Sequence, residues 1–280
     1  MSVRALRPLL QIRPADWQTA IRLYSGLGFG LLARFVSPAR FRSSGYWILG
    51  NSNLTVLASG TFAKIRPRTT DLAVFAGSQE PETATWFHPR KGDIVVDVGA
   101  HIGRYTLMAA QRGARVIAIE PESSNFSLLQ ENIELNNFSN VTTCQCAISD
   151  VRGQRSLYLG DNGPGDTATS SLNHRLMQER SGKAMTRSFE LVECETLDNL
   201  LESFNIDHVD WLKVDVEFHE LHVLRGAKST LTETQNLIIE VMRSNQETCK
   251  RLAEGAGLAA HRIERNTGWE VDNWWFARHL

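Results

Sequence analysis

The 280-residue chain has few cysteines, almost no net charge and no long apolar run. Its four cysteines, Cys144, Cys146, Cys194 and Cys249, are too few and too scattered for a disulfide framework, which favours a reducing compartment. A formal net charge of −1 gives no basic surface for nucleic acid. The composition therefore predicts a soluble, cytoplasmic protein that has no nucleic-acid partner.

Long apolar segments are also missing. The most apolar stretch, LYSGLGFGLLA at residues 23–33, holds eleven uncharged residues between two arginines. Because about 20 apolar residues are needed to cross a bilayer, we expect no transmembrane segment. The stretch predicts a packed helix or a glycine-rich connection, with contact to a membrane surface as the alternative. The first fourteen residues contain three arginines and no apolar centre, unlike a signal peptide.

The chain divides into two parts by pattern. Residues 1–67 predict an N-terminal extension, with short helices around residues 15–23 and a hairpin at YWILGNSNLTVLA, residues 46–58. Residues 68–280 alternate short apolar runs with helical stretches, which is typical of an α/β domain with a mostly parallel sheet. A polar segment at residues 160–182 interrupts this alternation, and its length predicts a lid over a functional site.

Several elements follow from the periodicity of the second part. We expect parallel strands at residues 94–98, 116–120, 141–148, 211–217 and 237–242, and a terminal antiparallel pair at 261–265 and 273–277. Helices are predicted at 104–111, 124–136 and around 220–228. Tryptophans in the last strand predict core packing, with an aromatic wall for a substrate or a homo-oligomer surface as alternatives.

The stretch GDIVVDVGAHIGRYT, residues 92–106, carries the strongest functional signal. Its buried strand ends in Asp97 and Gly99, and Gly103 opens the next helix. In open parallel sheets, ligands bind at such carboxyl ends of strands. Glu120 ends the following strand, a position where a carboxylate accepts the hydroxyls of a ribose. The spacing D-x-G-x-x-x-G lacks one glycine of the dinucleotide motif. It therefore disfavours a dinucleotide-dependent oxidoreductase and favours S-adenosylmethionine, which has no phosphate.

Successive sequence blocks resemble one known family. GDIVVDVGAHIGRYT, VIAIEPESSNFSLLQENIELNN (116–137), AISD (147–150), ETLDNLL (195–201) and LKVDVEFHELHVLRGA (212–227) look like those of the FkbM-type methyltransferases. The resemblance covers roughly residues 68–242 and implies a class I methyltransferase with a Rossmann-like sheet that uses S-adenosyl-L-methionine. It further implies O-methylation of a hydroxyl on a small metabolite, a natural product or a sugar.

The glycine turn, the strand ends and the resemblance together give a candidate site. The expected cofactor-binding residues are Asp97, Gly99, Ala100, His101, Gly103, Tyr105, Glu120, Pro121, Ala147 and Asp215. The expected catalytic residues are Asp215, which positions the acceptor or stabilises developing charge, and Glu217, His101 and His219, which are candidates for the general base. Helix capping is the alternative for Glu217, and simple packing is the alternative for each histidine.

The chain departs from the family pattern in two places. His101 stands where the family usually has Asn, and Phe218-His219 stand where the usual pattern D-V-E-G-A-E has Gly-Ala. The second departure leaves a non-catalytic cofactor-binding scaffold as an alternative, alongside an N-methyltransferase. No metal-ligand spacing is present, so no metal is expected, although Asp215 and Glu240 leave an acidic magnesium site open.

Overall fold

The computed structural model describes residues 12–25, 52–67, 69–76, 80–160, 170–173, 189–266 and 270–278. Its N-terminal part contains β1 (Arg13–Pro14), α1 (17–25), β2 (Leu54–Ala58), β3 (Thr61–Ile65), α2 (Asp71–Ala76) and α3 (Thr83–Trp86). The three strands form a small antiparallel sheet in the order β1-β2-β3. The sheet lies beside the main α/β layer rather than within it.

The remaining elements form the α/β layer and a small side sheet. The strands are β4 (Ile94–Val98), β5 (Arg115–Ile119), β6 (Val141–Cys144), β7 (Ala147–Ile148), β8 (Gly153–Tyr158), β9 (Phe189–Glu195), β10 (Val209–Val214), β11 (Thr234–Met242), β12 (Leu258–Arg265) and β13 (Val271–Arg278). The helices are α4 (Arg104–Gln111), α5 (Ser123–Leu135), α6 (Leu197–Ser203), α7 (Glu220–Arg225), α8 (Lys228–Thr232) and α9 (Gln246–Gly255), with a 3₁₀ turn at Arg243–Asn245.

Seven strands form the central sheet in the order β12-β13-β11-β10-β4-β5-β6. The pairs β6–β5, β5–β4, β4–β10 and β10–β11 are parallel, whereas β13 runs antiparallel to both of its neighbours. The chain builds outward from β4 to β6 and then returns to the other side of β4. The strand order therefore reverses between β4 and β10, which places a ligand crevice at their carboxyl ends. The predicted fold class is confirmed.

Apolar burial explains why the parallel strands read as continuous hydrophobic runs. Val96, Ile117, Leu212 and Ile239 are fully or almost fully buried in one cluster beneath the sheet. A second cluster joins the N-terminal sheet to α4 and α5 through side chains that include Ile65, Leu107 and Leu129. None of the helices in the described ranges is long and apolar enough to span a membrane.

Three element predictions need correction. The hairpin expected at 46–58 is instead formed by β2 and β3, because the turn lies at Ser59-Gly60, where both residues have positive φ; residues 46–51 lie outside the described residues. The strand expected at 141–148 divides, since β7 pairs with β9 of the side sheet. The predicted helix at 220–228 ends at Arg225, and α8 then begins.

One side-sheet contact shows why that helix ends. A Cβ on Gly226 would lie 2.0 Å from the backbone oxygen of Ser149, so no side chain fits between the two segments. The main-chain approach holds the end of β7 against α7. The predicted boundary between residues 67 and 68 falls between β3 and α2, where it stays a prediction.

A close main-chain approach lies at the ends of β4 and β10. The amide of Asp215 donates to the carbonyl of Val98 at 2.9 Å. Gly99 follows with φ of 82°, and a Cβ there would lie 1.8 Å from the carbonyl oxygen of Asp215. Only glycine satisfies both the left-handed backbone and the missing space. The strand that carries the glycine turn is therefore fixed against the strand that carries Asp215.

We predict that Gly99→Ala destabilises the protein far more than Gly92→Ala. Gly92 also has positive φ, at 91°, but nothing lies within 4 Å of its added Cβ. Left-handed strain alone costs about 1–2 kcal/mol, and overpacking adds about 1–3 kcal/mol or more at Gly99. Urea unfolding of both variants measures the difference. Equal destabilisation would show that the contact with Asp215 is not a constraint.

Candidate active site

A cleft that is partly open to solvent lies at the carboxyl ends of β4, β5 and β10. Eight of the predicted site residues line it: Gly99, His101, Glu120, Pro121, Ala147, Asp215, Glu217 and His219. The other four, Asp97, Ala100, Gly103 and Tyr105, do not line the cleft, and all four are buried. The structure therefore brings most of the predicted site residues together in one cleft, and the other four lie outside its lining.

The glycine turn is built by main-chain contacts. The amides of Gly99 and Ala100 both donate to the carbonyl of Ile119, at 2.9 and 3.0 Å, which ties the turn to the end of β5. His101 has φ of 51°. Asn and His are among the non-glycine residues enriched in this left-handed region, so the backbone accepts His where the family usually has Asn. Gly103 has φ of 101° and packs against Leu129.

Glu120 lies just beyond β5 and is 5 % exposed. One carboxylate oxygen accepts the amide of His101 at 2.8 Å, and the other accepts the amide of Glu122 at 3.0 Å. Burial raises the pKa of Glu120 to about 7, although both amides oppose the shift. The carboxylate is thus held in a fixed orientation at the cleft, with free lone pairs for a ligand's hydroxyl groups.

Asp97 is buried in β4 rather than exposed to the cleft. Its carboxylate accepts the hydroxyl of Thr106 at 2.6 Å, which connects the strand to the first turn of α4. Burial raises the pKa of Asp97 to about 6, against the lowering effects of Thr106 and Lys213. Asp97 therefore fixes the helix that follows the glycine turn, and its charge acts on the cleft from beneath.

Lys213 is a buried cation at the same edge, with 1 % of its side chain exposed. Its Nζ lies 2.9 Å from Oδ2 of Asp215 and 5.0 Å from the ring centre of Tyr105. Burial lowers the pKa of Lys213, but Asp215 and Glu80 outweigh burial and hold that pKa above its usual value. Lys213 remains charged and orients the carboxylate of Asp215.

The turn after β10 is strained. Glu217 and Phe218 have φ of 46° and 73°, a conformation that costs about 1–2 kcal/mol per non-glycine residue. The hydroxyl of Ser171 donates to the carbonyl of Glu217, and the amide of Phe218 donates to Oε1 of Glu220 at 2.8 Å. Helix α7 begins after His219, whose side chain does not cap it, and capping by Glu217 stays an alternative. Backbone strain of this kind gathers at functional sites.

Glu220 and His219 end this turn. Burial raises the pKa of Glu220 to about 8, and Asp215 and Glu217 add to the shift. His219 is 5 % exposed, and its Nε2 lies 3.0 Å from Oγ of Ser149. Burial lowers the pKa of His219 to about 4, with His222 and Arg155 acting in the same direction. At neutral pH the turn presents an uncharged imidazole beside an uncharged carboxyl group.

The N-terminal part supplies supporting residues that the sequence patterns did not assign. Arg66 forms a bidentate ion pair with Asp71, at 2.9 and 3.0 Å, and also donates to Asn125 at the cleft, at 2.8 Å. Nε2 of His101 lies 3.9 Å from Oδ1 of Asp71. Asn132 adds a further tie, donating to the carbonyl of Ile102 at 2.9 Å.

Only a few residues of the predicted lid are described. Among residues 160–182, these are Gly160 and residues 170–173, and Ser170 and Leu172 line the cleft. Ser171 pairs with Tyr158 through two main-chain hydrogen bonds of 2.9 Å. The rest of the segment lies outside the described residues, so the lid stays a prediction.

The chemistry of the lining fits S-adenosylmethionine better than a dinucleotide. Among the described residues around the cleft there is no Lys or Arg, although Glu120, Asp215 and Glu217 are present. A diphosphate would find no cation there, whereas a sulfonium or ammonium group would lie near carboxylates. Within the described ranges, no three His, Cys, Asp or Glu side chains are arranged to hold a metal ion.

A seven-stranded sheet that is parallel except for β13 and β12 at one side, with a glycine turn at its switch point, is the arrangement expected of a class I methyltransferase. Residues 97–263 match the family model described as "Methyltransferase FkbM domain". The chain belongs to the FkbM methyltransferase family, as its sequence blocks predicted. Membership also confirms S-adenosylmethionine as the expected cofactor.

Named relatives extend the comparison. The chain is 30% identical over 178 residues to "Methyltransferase 1" of Beauveria bassiana, covering 59% of this chain and 72% of the relative. It is 30% identical over 149 residues to the hexuronic acid methyltransferase AglP of Haloferax volcanii, covering 53% of this chain and 56% of the relative. TYW2 of P. horikoshii, solved in complex with MeSAdo, superposes with a TM-score of 0.47 and 18% identity over 81% of this chain and 70% of that one.

The buried acids predict a pH-dependent stability in the absence of cofactor. Asp97, Glu120 and Glu220 have folded-state pKa values of about 6, 7 and 8, all raised by burial above the unfolded values. Their stabilising contribution is present below about pH 4.5 and is lost as the pH rises through the folded values. We therefore expect the free energy of unfolding to fall from about pH 4.5 to about pH 8.

Glu120→Gln isolates one of these groups. Because a pKa shift from 4.5 to about 7 corresponds to on the order of 3 kcal/mol, the variant should show a clearly smaller loss over that pH interval. Urea unfolding at each pH measures the slope, which is independent of any constant cost of the substitution. An unchanged slope would mean that Glu120 is ionised throughout.

Proposed function

We propose that the protein transfers the methyl group of S-adenosylmethionine to an oxygen atom of a small molecule or a glycan, with a hydroxyl as the acceptor group. The main support for this proposal is that Glu120 and Asp215 line one cleft. They lie at the ends of the two strands on either side of β4. When bound, the cofactor supplies a methyl group on a positively charged sulfur. The protein has to hold an acceptor in line with it and exclude water.

The nucleoside side of the cleft centres on Glu120. Its carboxylate is held by the amides of His101 and Glu122 and accepts the two ribose hydroxyls. Gly99 has no side chain to obstruct the ligand. Pro121, Asn125 and Ala147 complete the lining near this end. The positioning of His101 depends in turn on Asp71, which Arg66 holds ionised: burial opposes ionisation, but the guanidinium keeps the pKa of Asp71 below its usual range.

The acceptor side centres on Asp215. Lys213 fixes one carboxylate oxygen at 2.9 Å, which leaves the other to face the cofactor's charged end or the acceptor. A hydroxyl acceptor also gains from a group that receives its proton as the new bond forms. Asp215, Glu217 and His219 are the candidates for this group that line the cleft at this position. His101 is less suited, because its ring lies next to Asp71.

The relatives support the oxygen acceptor in general terms. AglP is named for the methylation of a hexuronic acid, a sugar that carries both hydroxyl and carboxyl oxygens. The matched region covers 72% of the first relative but only 65% and 56% of the next two. The acceptor in the name of AglP therefore suggests a sugar as the class of molecule for this protein, and no particular compound.

Direct transfer tests the proposal. The protein is incubated with S-adenosylmethionine carrying an isotopically labelled methyl group and with a pool of sugars and small metabolites, and the products are analysed by mass spectrometry. We expect a labelled product that withstands mild base, as an ether does and an ester does not. Cofactor binding without any labelled product would favour the scaffold alternative.

We predict that Glu120→Ala weakens binding of S-adenosylhomocysteine by about 1.5–3 kcal/mol, the range for hydrogen bonds to a charged group. Isothermal titration calorimetry measures the affinity. Glu122→Ala is the matched control, because the carboxylate of Glu122 caps α5 at Ser124 and does not line the cleft. Equal affinity in the Glu120 variant and the native protein would remove Glu120 from the ribose site.

Asp215→Asn should lower turnover by about a hundredfold or more, in line with losses of positioning and general-base catalysis. Cofactor affinity should change less than turnover. Asp210→Asn is the control on the same strand, since Asp210 accepts the amide of Ile94 at 2.7 Å at the opposite end of the sheet. Full turnover in the Asp215 variant would transfer the acceptor role to Glu217.

A further inference from the structure

His219 belongs to a chain of side chains that the cofactor site does not use. Its Nε2 lies 3.0 Å from Oγ of Ser149, which lies 3.1 Å from Oδ1 of Asp150. The second oxygen of Asp150 lies 3.0 Å from Nδ1 of His222. The two imidazole rings are stacked, with centres 4.4 Å apart and planes inclined by 13°. Four residues from the turn after β7 and from the start of α7 thus form one connected group.

The protons in this group can be assigned from the donors and acceptors. An ionised carboxylate only accepts, so Asp150 takes the O–H of Ser149 and the Nδ1–H of His222. Burial opposes ionisation, but these bonds hold the pKa of Asp150 below its usual range. The single proton of Ser149 is then committed to Asp150, and its oxygen accepts from His219. Nε2 of His219 therefore carries the proton, and Nδ1 carries the lone pair.

The lone pair is available to a ligand. Within the described part of the chain, Nδ1 of His219 makes no hydrogen bond, while the ring lines the cleft together with Asp215 and Glu217. His222, Arg155 and burial all disfavour a charge on this ring, whereas Asp150 favours it weakly. At neutral pH the cleft therefore presents one uncharged acceptor nitrogen among carboxylates.

We propose that Nδ1 of His219 accepts a hydrogen bond from the hydroxyl group that is methylated, and that Ser149 and Asp150 are positioning residues for this nitrogen. A hydroxyl can donate to it, whereas a carboxylate cannot donate and is repelled by Asp215 and Glu217. The group thus selects a hydroxyl over a carboxyl acceptor. This inference rests on the proposed methyl transfer. It makes the Phe218-His219 turn of this chain the part of the site that selects a hydroxyl acceptor.

The protein selectively ¹⁵N-labelled in histidine tests the assignment by NMR in the complex with S-adenosylhomocysteine. We expect His219 to be neutral at pH 7 with its proton on Nε2. Asp150→Ala frees the hydroxyl of Ser149 to donate to Nε2, so the proton of His219 should move to Nδ1. Asp207→Ala is the matched control, since Asp207 pairs with the exposed His208 at 3.0 Å. A proton on Nδ1 of native His219, a charged ring at pH 7, or an unchanged tautomer in Asp150→Ala would overturn the positioning role.

Two small probes test the selection itself. Glycerol should move the Nδ1 resonance of His219 upfield, as expected for a nitrogen that accepts a hydrogen bond, and acetate should not. A shift with acetate, or no shift with either probe, would overturn the acceptor assignment. Binding of S-adenosylhomocysteine is measured in the same samples. Its absence would count against the proposed function as a whole, whereas normal binding with a failed histidine assignment would count against this inference alone.

Discussion

The contact between Gly99 and the backbone of Asp215 is the constraint on which the site depends. It brings the end of β4 against the end of β10 with no room for a side chain, since an added Cβ would lie 1.8 Å from a carbonyl oxygen. The same turn is tied to β5 through the carbonyl of Ile119. A nucleoside-binding carboxylate on one strand and an acceptor-side carboxylate on another are therefore fixed relative to each other before any ligand binds. Preorganisation of this kind reduces the cost of aligning two reactants.

Electrostatics follows from this packing. The edge of the sheet collects Asp97, Asp215, Glu217, Glu220 and Glu240 around a single buried lysine, Lys213. Burial raises the pKa of several of these acids, Glu240 included. A positively charged ligand would relieve the repulsion between the carboxylates, whereas a diphosphate would increase it. This excess of carboxylates explains why a cofactor with a sulfonium and an ammonium group suits the cleft, which has no Lys or Arg in its lining among the described residues.

Much of the fold and the position of the cleft follow from the sequence. Buried parallel strands read as short apolar runs, and the glycine turn and Glu120 mark their ends, so the sheet and its switch point were predictable. The division of residues 141–148 was not, because pairing of β7 with β9 depends on a strand more than forty residues later. The hairpin of β2 and β3 was missed because Ser59-Gly60 is a weaker turn signal than the Asn-rich steps before it.

The supporting residues could not be predicted for a different reason. Asp97 was expected to contact the cofactor because it precedes the glycines; its bond from the hydroxyl of Thr106 was not foreseen, and the cofactor contact stays a prediction. Arg66, Asp71, Ser149 and Asp150 act through other side chains, and such contacts between distant segments leave no periodic or spaced pattern. Phe218 and His219 were recognised as departures from the family, yet only the strained backbone and the Ser149 contact give them a physical role.

A site at the end of β4 for S-adenosylmethionine and its demethylated product is the central claim, and direct calorimetric titration tests it most directly. The native protein is titrated with S-adenosylhomocysteine and, separately, with NAD under the same conditions. The account predicts saturable binding of S-adenosylhomocysteine with one site per chain and no measurable heat of binding for NAD. Binding of NAD without binding of S-adenosylhomocysteine would contradict it.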